Sequence, residues 1–211
     1  MKWMMLTVGL LAGLLIGSNA KATLLDRGPN MVYDDVLNIT WVADANLCLT
    51  LNNCVNSTTG FMTEGDANTW AANLDYQGFT DWRLPSMDVN GDTTVVDCSS
   101  ATEVACRDNE YGYMYYQNLG GTFGSNLTGD QGPFTNVQPS YWSGTEFAPK
   151  PLSAWVFFFD LGIQGIVNKG GVSYAWAVRP GDVASVPEPG SVVLMGVGLL
   201  GLGLARRWRG R

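Results

Sequence analysis

The sequence predicts an α+β domain that is flanked by two short apolar segments. The chain has 211 residues, and an uncharged apolar run lies near each end, at 3–16 and 192–205. Between these runs, helix-type patterns occur at 65–76 and 110–119, whereas β-type runs are concentrated after residue 139. Helices and strands that are separated along the chain, rather than alternating, are typical of the α+β class.

Residues 1–22 have the pattern of a secretory signal peptide. Lys2 precedes the apolar stretch Trp3–Ile16, and the segment ends in Ala20-Lys21-Ala22, with small residues where signal peptides are cut. Cleavage after Ala22 fits the pattern best, and cleavage after Ala20 or retention as an uncleaved anchor are the alternatives. The sequence therefore predicts that the protein leaves the cytoplasm.

Residues 186–211 combine a rigid turn, an apolar run and a basic end. The motif Pro187-Glu188-Pro189 interrupts any helix, because each proline fixes φ and lacks an N–H donor. The run 191–205 is predicted to be a membrane helix, because a bilayer requires the backbone to satisfy its own hydrogen bonds. Four arginines, expected to stay on the cytoplasmic side, form the basic end: Arg206, Arg207, Arg209 and Arg211.

This order of parts resembles the PEP-CTERM sorting signal of Gram-negative bacteria, which joins a Pro-Glu-Pro motif, a short membrane span and an Arg-rich terminus. The residues that carry the resemblance are Pro187, Glu188 and Pro189, together with the apolar run and the arginines after it. The resemblance implies that a membrane transpeptidase called exosortase recognises and cleaves the chain. It also implies transient residence in the inner membrane and delivery to the cell surface or extracellular matrix. A plain membrane anchor is the alternative.

Charge and composition exclude several functions for the domain between these segments, residues 23–185. Glu188 is the only acidic residue outside it, so the domain holds 18 acidic and 6 basic side chains and has a net charge of −12. Such a domain does not bind nucleic acid or anionic lipid through charge. The chain contains no histidine, which excludes Ser-His-Asp and Cys-His catalytic sites and zinc sites with histidine ligands.

The four cysteines form two close pairs along the chain, Cys48 with Cys54 and Cys98 with Cys106. In an exported protein, a disulfide within each pair is the favoured interpretation. Other connectivities and a metal site with four thiolate ligands are the alternatives. Each predicted bridge closes only a short loop, so it stabilises the fold locally.

In the first half of the domain, residues 31–42 predict a hairpin, and residues 44–60 predict an exposed loop that contains the first cysteine pair. A helix is predicted at about 65–76, with Thr63 or Asp66 as its N-terminal cap and Gly78 at its end. A short extended piece follows around Trp82.

The second half of the domain begins with an acidic insertion at 87–108, which contains the second cysteine pair. A second helix is predicted over Glu110–Leu119, and the stretch Gly120–Gln138 has the composition of a loop. Four β-type segments follow: Tyr141–Ser143, Ala154–Phe159, Gly165–Val167 and Ser173–Arg179. Four glycines are predicted to form turns between them: Gly162, Gly165, Gly170 and Gly171.

Three phrases in this domain occur in a recognisable order: DWRLPS at 81–86, YWSGTE at 141–146, and AWVF at 154–157 with AWAVRP at 175–180. They resemble the DUF1566 family, also called the Lcl C-terminal domain, over about residues 63–181. The resemblance implies a C-type-lectin-like fold, in which two helices pack against small antiparallel sheets with long loops. Ser86 and Gly144 depart from the Thr and Ser of the family pattern, and the acidic insertion is a further departure.

Most conspicuous side chains in these phrases have a structural interpretation. Four tryptophans are predicted to lie in the core rather than to form a ligand platform: Trp82, Trp142, Trp155 and Trp176. Arg83 and Arg179 are predicted to pair with carboxylates or loop carbonyls, with ligand binding as the alternative. Glu146 with Asp160 or Asp81 could form an acid–base pair, but 18 acidic residues make such combinations common. The sequence therefore predicts no catalytic residue.

One acidic turn has ligands of the type that calcium prefers. Asp88, Asn90 and Asp92 alternate along the chain, and Asp97 follows. The turn fails as an EF-hand, because Thr93 occupies the position that requires glycine and Ser99 the position that requires glutamate. A loose calcium site and an ordinary solvated loop are the two interpretations, and no other cofactor is predicted.

Together, these observations predict a non-enzymatic, exported protein of the cell surface or extracellular matrix. An exopolysaccharide is the suggested ligand, because the sorting family is associated with bacteria that produce such polymers. A purely structural matrix component is one alternative. The other is an enzyme related to the formylglycine-generating proteins, which share a lectin-like fold and use cysteine chemistry. The residues that would bind the ligand are not identified by the sequence.

Overall fold

The structure is a computed structural model that describes residues 23–183. The predicted signal peptide, the Pro-Glu-Pro motif, the membrane helix at 191–205 and the four terminal arginines lie outside these residues. Within residues 23–183, no helix is both long enough and apolar enough to cross a bilayer.

The described part of the chain is built mostly from small antiparallel sheets with a few short helices, which confirms the α+β class. The strands are β1 (Leu24–Asp26), β2 (Met31–Asp34), β3 (Ile39–Val42), β4 (Gly129–Gln131), β5 (Phe134–Val137), β6 (Ser140–Glu146), β7 (Ser153–Phe158), β8 (Ile163–Asn168) and β9 (Val178–Pro180). The helices are α1 (Leu47–Thr50), α2 (Glu64–Ala72), α3 (Glu103–Cys106) and α4 (Glu110–Tyr113), and a π-helical turn, Met114–Asn118, continues α4.

A four-stranded sheet in the order β1-β2-β3-β9 joins the two ends of the domain. The predicted hairpin is confirmed as β2 and β3, which pair from Met31 with Val42 to Asp34 with Ile39. Strand β9 returns from the far end of the domain and places Val178 opposite Trp41. The beginning and the end of the folded domain therefore lie side by side.

The predicted helix at 65–76 is confirmed as α2, but it ends four residues earlier than expected. Thr63 is the N-cap, and its Oγ1 accepts a hydrogen bond from the backbone N–H of Asp66. Gly78 does not terminate the helix. Gln77 (φ 55°) and Gly78 (φ 81°) instead form the two-residue turn of a tight hairpin in which Tyr76 and Phe79 exchange backbone hydrogen bonds.

The second predicted helix is confirmed as α4 and its π-helical continuation. The side chain of Asn109 caps it by accepting a hydrogen bond from the N–H of Gly112 at 2.9 Å. The loops on either side of the predicted helices are more ordered than their composition suggests. Short helices α1 and α3 lie inside the two segments that carry the cysteines, and the first of these segments is not fully exposed, because Leu47 and Cys48 are buried.

Two predictions for the later strands are wrong. Within 173–179, only the last two residues belong to a strand, β9. Ala175, Trp176 and Ala177 are all buried, so this part of the segment crosses the core instead of alternating between two faces. The stretch 120–138 is not purely a loop. It contains the hairpin of β4 and β5, whose residues Phe134 and Val137 are buried.

The three-stranded sheet β6-β7-β8 confirms the β-type segments at 141–143, 154–159 and 165–167. The turn predicted at Gly165 is wrong, because this residue lies inside β8 opposite Val156. A Cβ atom at this position would lie 2.9 Å from the ring of Phe158. Glycine is therefore required here by close packing against a ring rather than by a turn.

Aromatic rings fill the core. Trp41 and Trp176 are completely buried with ring centroids 4.9 Å apart, and the indole N–H of Trp176 donates to the carbonyl of Val42 at 2.8 Å. Rings from four other elements pack in edge-to-face, tilted or stacked arrangements around them: Tyr111, Phe134, Tyr141, Phe157 and Phe159. The prediction that the tryptophans are core residues is confirmed for Trp82, Trp142 and Trp176, whereas Trp155 stays partly exposed.

Candidate functional site

Arg83 and Glu110 form the most buried ion pair in the described residues. Two nitrogens of the Arg83 guanidinium each donate to a different oxygen of Glu110 at 2.7 Å, and the N–H of Ser86 donates to Glu110 Oε2 at 2.6 Å. The Glu110 side chain is only 3% exposed. The pair ties the segment 81–86 to the first turn of α4, so Arg83 has the structural role that the sequence predicts.

Arg179 has an equivalent role at the other end of the same segment. Its guanidinium donates to both carboxylate oxygens of Asp81, at 2.7 and 3.0 Å, and lies 4.2 Å from the centroid of the Phe79 ring. The hydrogen bond from Arg179 lowers the pKa of Asp81. Glu146 is paired with Lys169. Glu146 and Asp81 are thus each paired with a cation in the structure.

Both predicted disulfides are present, Cys48–Cys54 and Cys98–Cys106. All four cysteines are used in this way, so the alternative of a four-thiolate metal site is wrong. The second bridge is buried together with Tyr113 in a small apolar cluster of its own. This cluster anchors the acidic insertion to α4, and the bridge holds this part of the insertion in place.

A buried carboxylate, Asp34, connects the β2–β3 turn to the π-helical turn. Its Oδ1 accepts hydrogen bonds from the N–H groups of Val36 and Leu37, and its Oδ2 accepts one from the Nδ2 of Asn118 at 2.7 Å. Asp34 is completely buried and has no cation among these partners. Desolvation raises its pKa, although the three hydrogen bonds oppose the increase.

We expect Asp34→Asn to change how stability depends on pH. A carboxyl group whose pKa is raised on folding destabilises the folded state above its unfolded value of about 3.9, and this penalty disappears at lower pH. Asn118 can rotate its amide so that its buried, unpartnered Oδ1 accepts from the new side chain. The wild type should therefore lose stability relative to Asp34→Asn as the pH rises from about 3.5 to 7.

Denaturant unfolding of both proteins across this pH range measures the difference. Asp75→Asn is a suitable control, because Asp75 is exposed and is not among the groups that shift the pKa of Asp34, whereas Asp35 is. A stability difference between wild type and Asp34→Asn that is constant with pH contradicts the prediction.

The structure brings together part of the predicted calcium-binding turn and adds one residue to it. Oxygen atoms of Asp88, Asp92 and Asp108 lie within 4.8 Å of one another. Asn90 lies beside them and accepts a hydrogen bond from the N–H of Asp92, whereas Asp97 is not part of the group. Asp108 was missed because it comes 16 residues after Asp92, too far for a spacing pattern. Calcium binding by this turn stays a prediction.

A partly exposed apolar strip lies on one face of the three-stranded sheet; we call it the Trp155 strip and define it by Phe147, Trp155 and Ile166. Trp155 is directly opposite Ile166, and residues that are opposite each other in an antiparallel pair share a face of the sheet. The Phe147 ring meets the indole edge to face, with centroids 5.5 Å apart. Ile166 is 44% exposed.

The same face of the sheet changes from buried to open along its length. At one end, Phe157 packs on Tyr111 of α4, and its neighbour Gln164 accepts a hydrogen bond from Asn109 at 2.9 Å. At the other end, Phe147 and Trp155 are only partly buried and Ile166 is exposed, and Ser153 and Asn168 lie opposite each other beside them. The alternation of residues along β7 is a sequence signal that could have identified Trp155. Phe147 and Ile166 have no such signal, because they reach Trp155 only through the register of three strands.

The geometry defines a small α+β domain that has an aromatic core, is cross-linked by two disulfides and has a partly exposed aromatic strip on one sheet. The chain belongs to the Lcl C-terminal domain family, whose model matches residues 30–179. The PEP-CTERM protein-sorting motif matches residues 185–209. Both resemblances inferred from the sequence are thereby confirmed. The second match includes Pro187-Glu188-Pro189 and three of the four terminal arginines, and it implies export and processing by exosortase. No curated protein matches the chain.

Proposed function

We propose that this protein is a non-enzymatic component of the cell surface or extracellular matrix, sorted by exosortase, that binds an exopolysaccharide through the Trp155 strip. Its lectin-like domain, residues 23–185, is the part that is displayed. The apolar run 191–205, which the sequence predicts to be a membrane helix, serves as a temporary anchor in the inner membrane before the chain reaches its final location.

The observation that carries the proposal is the partial exposure of Trp155, whereas the other five tryptophans of the described residues are buried. An indole ring offers a flat apolar surface with a polar edge, and sugar rings present C–H groups on their faces and hydroxyl groups around them. Ser153 and Asn168 lie on the same face and supply a hydroxyl and an amide group that can orient a polar ligand. The strip is open rather than enclosed, as a long polymer requires.

The negative charge of the domain restricts which kinds of polysaccharide it can bind. With a net charge of −12, the domain repels a polyanion at low ionic strength. A neutral or cationic polysaccharide is therefore the expected partner, and an acidic one should bind only at high salt or with a bridging cation.

Several contacts support a function other than catalysis. Two carboxylates that the sequence offered as a possible acid–base pair form ion pairs instead, Asp81 with Arg179 and Glu146 with Lys169. The cysteines form disulfides, which leaves no thiol for chemistry of the formylglycine-generating type. These arrangements stabilise the fold, and the proposal assigns the function to the surface strip instead.

Trp155→Ala is expected to weaken binding of a neutral polysaccharide by about 10- to 30-fold, because central aromatic anchors contribute about 2 kcal/mol or more to a binding site. Affinity electrophoresis or polysaccharide pull-down with residues 23–185 measures the effect, in buffers with and without calcium. Phe123→Ala is the matched control. Phe123 is 71% exposed and lies by the β7–β8 turn, at the opposite end of the sheet, where Gly124 bonds to Leu161.

Failure of the wild-type domain to bind any polysaccharide, with or without calcium, contradicts the proposal and favours a purely structural matrix component. Equal loss of binding in Trp155→Ala and Phe123→Ala contradicts the assignment to the Trp155 strip.

A further inference from the structure

We propose that the end of the folded domain around Asp182 is the surface that meets exosortase, and that the Arg27–Asp182 ion pair limits how readily the sorting motif is reached. This inference rests on the proposed sorting by exosortase. It concerns the described residues that precede the motif, which the sorting pattern itself does not include.

The fold holds the chain firmly up to Val183. Strand β9 pairs with β3, and the pairing continues beyond the strand, because the N–H of Gly181 donates to the carbonyl of Asn38 at 2.8 Å. The hydroxyl of Thr40 donates to the carbonyl of Gly181 at 2.7 Å. Val183 is only 6% exposed and belongs to the core. The last described residue is thus part of the packed domain.

An ion pair closes this end of the domain. The Arg27 guanidinium donates to both carboxylate oxygens of Asp182, at 2.7 and 2.9 Å, and lies 5.3 Å from the centroid of the Tyr33 ring. Arg27 follows β1, at the beginning of the domain, and Asp182 lies near its end. The pair therefore resists detachment of the segment that leads to the sorting motif.

Only a short connection separates this closed end from the motif. Pro187 comes four residues after Val183, and the matched sorting pattern begins at residue 185. Four residues span at most about 14 Å even when fully extended. This reach is comparable to the radius of gyration of a domain of only 100 residues, about 13 Å. An enzyme bound to the motif must therefore lie against the end of the domain that contains Asp182 and Arg27.

Detachment of the last segment would relieve this crowding. If residues 180–183 leave the sheet, the number of residues between the sheet and the motif doubles, to a reach of about 28 Å. Local opening of terminal segments is common when few contacts hold them, and the Arg27–Asp182 pair adds to those contacts. The pair is thus expected to slow sorting, and its loss to accelerate it.

The test follows the full-length chain in a host that has exosortase, with the half-life of the unprocessed precursor measured by pulse–chase labelling. Arg27→Gln is expected to shorten this half-life by about two- to fivefold, the range that partly exposed ion pairs support. A flexible Gly/Ser spacer of about ten residues inserted after Val183 should shorten it at least as much. Adding Arg27→Gln to the spacer variant should then have no further effect, because the longer connection removes the crowding.

Arg107→Gln is the matched control, because it removes the exposed Arg107–Glu103 pair at a distant place in the fold. Its precursor should have the half-life of the wild type. Hydrogen exchange of the Gly181 amide reports the local opening directly, and it should be faster in Arg27→Gln than in Arg107→Gln while the melting temperatures stay similar.

Two outcomes overturn the inference: a spacer variant that is processed no faster than the wild type, or an Arg27→Gln effect that persists at full size in the spacer variant. These outcomes differ from failure of the proposed sorting, in which the wild-type precursor itself is not processed. If Arg27→Gln fails to fold, the spacer variant alone decides, since it changes no residue of the domain.

Discussion

Replacement of Trp176 by alanine is expected to lower the free energy of unfolding by about 4 kcal/mol, within the range for large aromatic residues removed from a core. The ring of Trp176 has no solvent exposure and touches rings from several parts of the chain, including Trp41 at 4.9 Å and Phe134 at 5.0 Å between centroids. Its removal leaves a cavity between two sheets. It also leaves the carbonyl of Val42 without the indole donor.

Urea unfolding of Trp176→Ala and of Trp155→Ala measures the contrast between a core and a surface tryptophan. Trp155→Ala should cost less, because part of the Trp155 ring remains in solvent and its removal leaves an open surface rather than an enclosed cavity. Trp176→Phe should fall between the wild type and Trp176→Ala, since it keeps a ring but loses the hydrogen bond. Similar costs for Trp176→Ala and Trp155→Ala contradict the assignment of the two residues to core and surface.

Replacement of Arg83 by alanine is expected to cost about 3 kcal/mol, because it leaves the buried carboxylate of Glu110 without its cation. This loss of stability lies at the low end of the range that is found when one partner of a buried ion pair is removed. The Arg83 side chain is 40% exposed, so water can replace part of the lost interaction, whereas the Glu110 side chain is only 3% exposed. The N–H of Ser86 remains as a donor to Glu110.

A double substitution separates the cost of an unpaired charge from the value of the pair itself. Arg83→Met combined with Glu110→Met should recover most of the stability lost in Arg83→Ala, because replacing both partners with apolar side chains is often close to neutral. Arg107→Ala, which breaks the exposed pair with Glu103, should cost far less than Arg83→Ala. A cost for Arg83→Ala as small as that for Arg107→Ala contradicts the prediction.

The sequence by itself determined the features that depend on neighbouring residues. The hairpin at 31–42, the Thr63 cap of α2 and the two disulfides follow from short-range patterns of turns, caps and cysteine spacing. The family and the sorting motif were identified for the same reason, because each depends on short phrases in a fixed order. The composition of the domain, with its acidic charge and lack of histidine, restricted the possible ligands and chemistry.

Predictions from local sequence patterns were wrong at positions where contacts with distant residues determine the backbone conformation. Gly165 has the appearance of a turn residue, but a ring packs where its side chain would be. Residues 173–179 have the composition of a strand, yet Trp176 and its neighbours cross the core with every side chain buried. In both places, packing against distant residues outweighed the local preference.

Only the tertiary structure decided which side chains come together at the surface. Phe147, Trp155 and Ile166 form one strip because the register of β7 and β8 and the edge-to-face ring contact place them on one face. Arg27 meets Asp182 because β9 returns to the sheet that begins with β1, across 155 residues of chain. Both contacts depend on strand pairing between segments that are far apart, and such pairing is determined by burial in the whole fold rather than by any local sequence pattern.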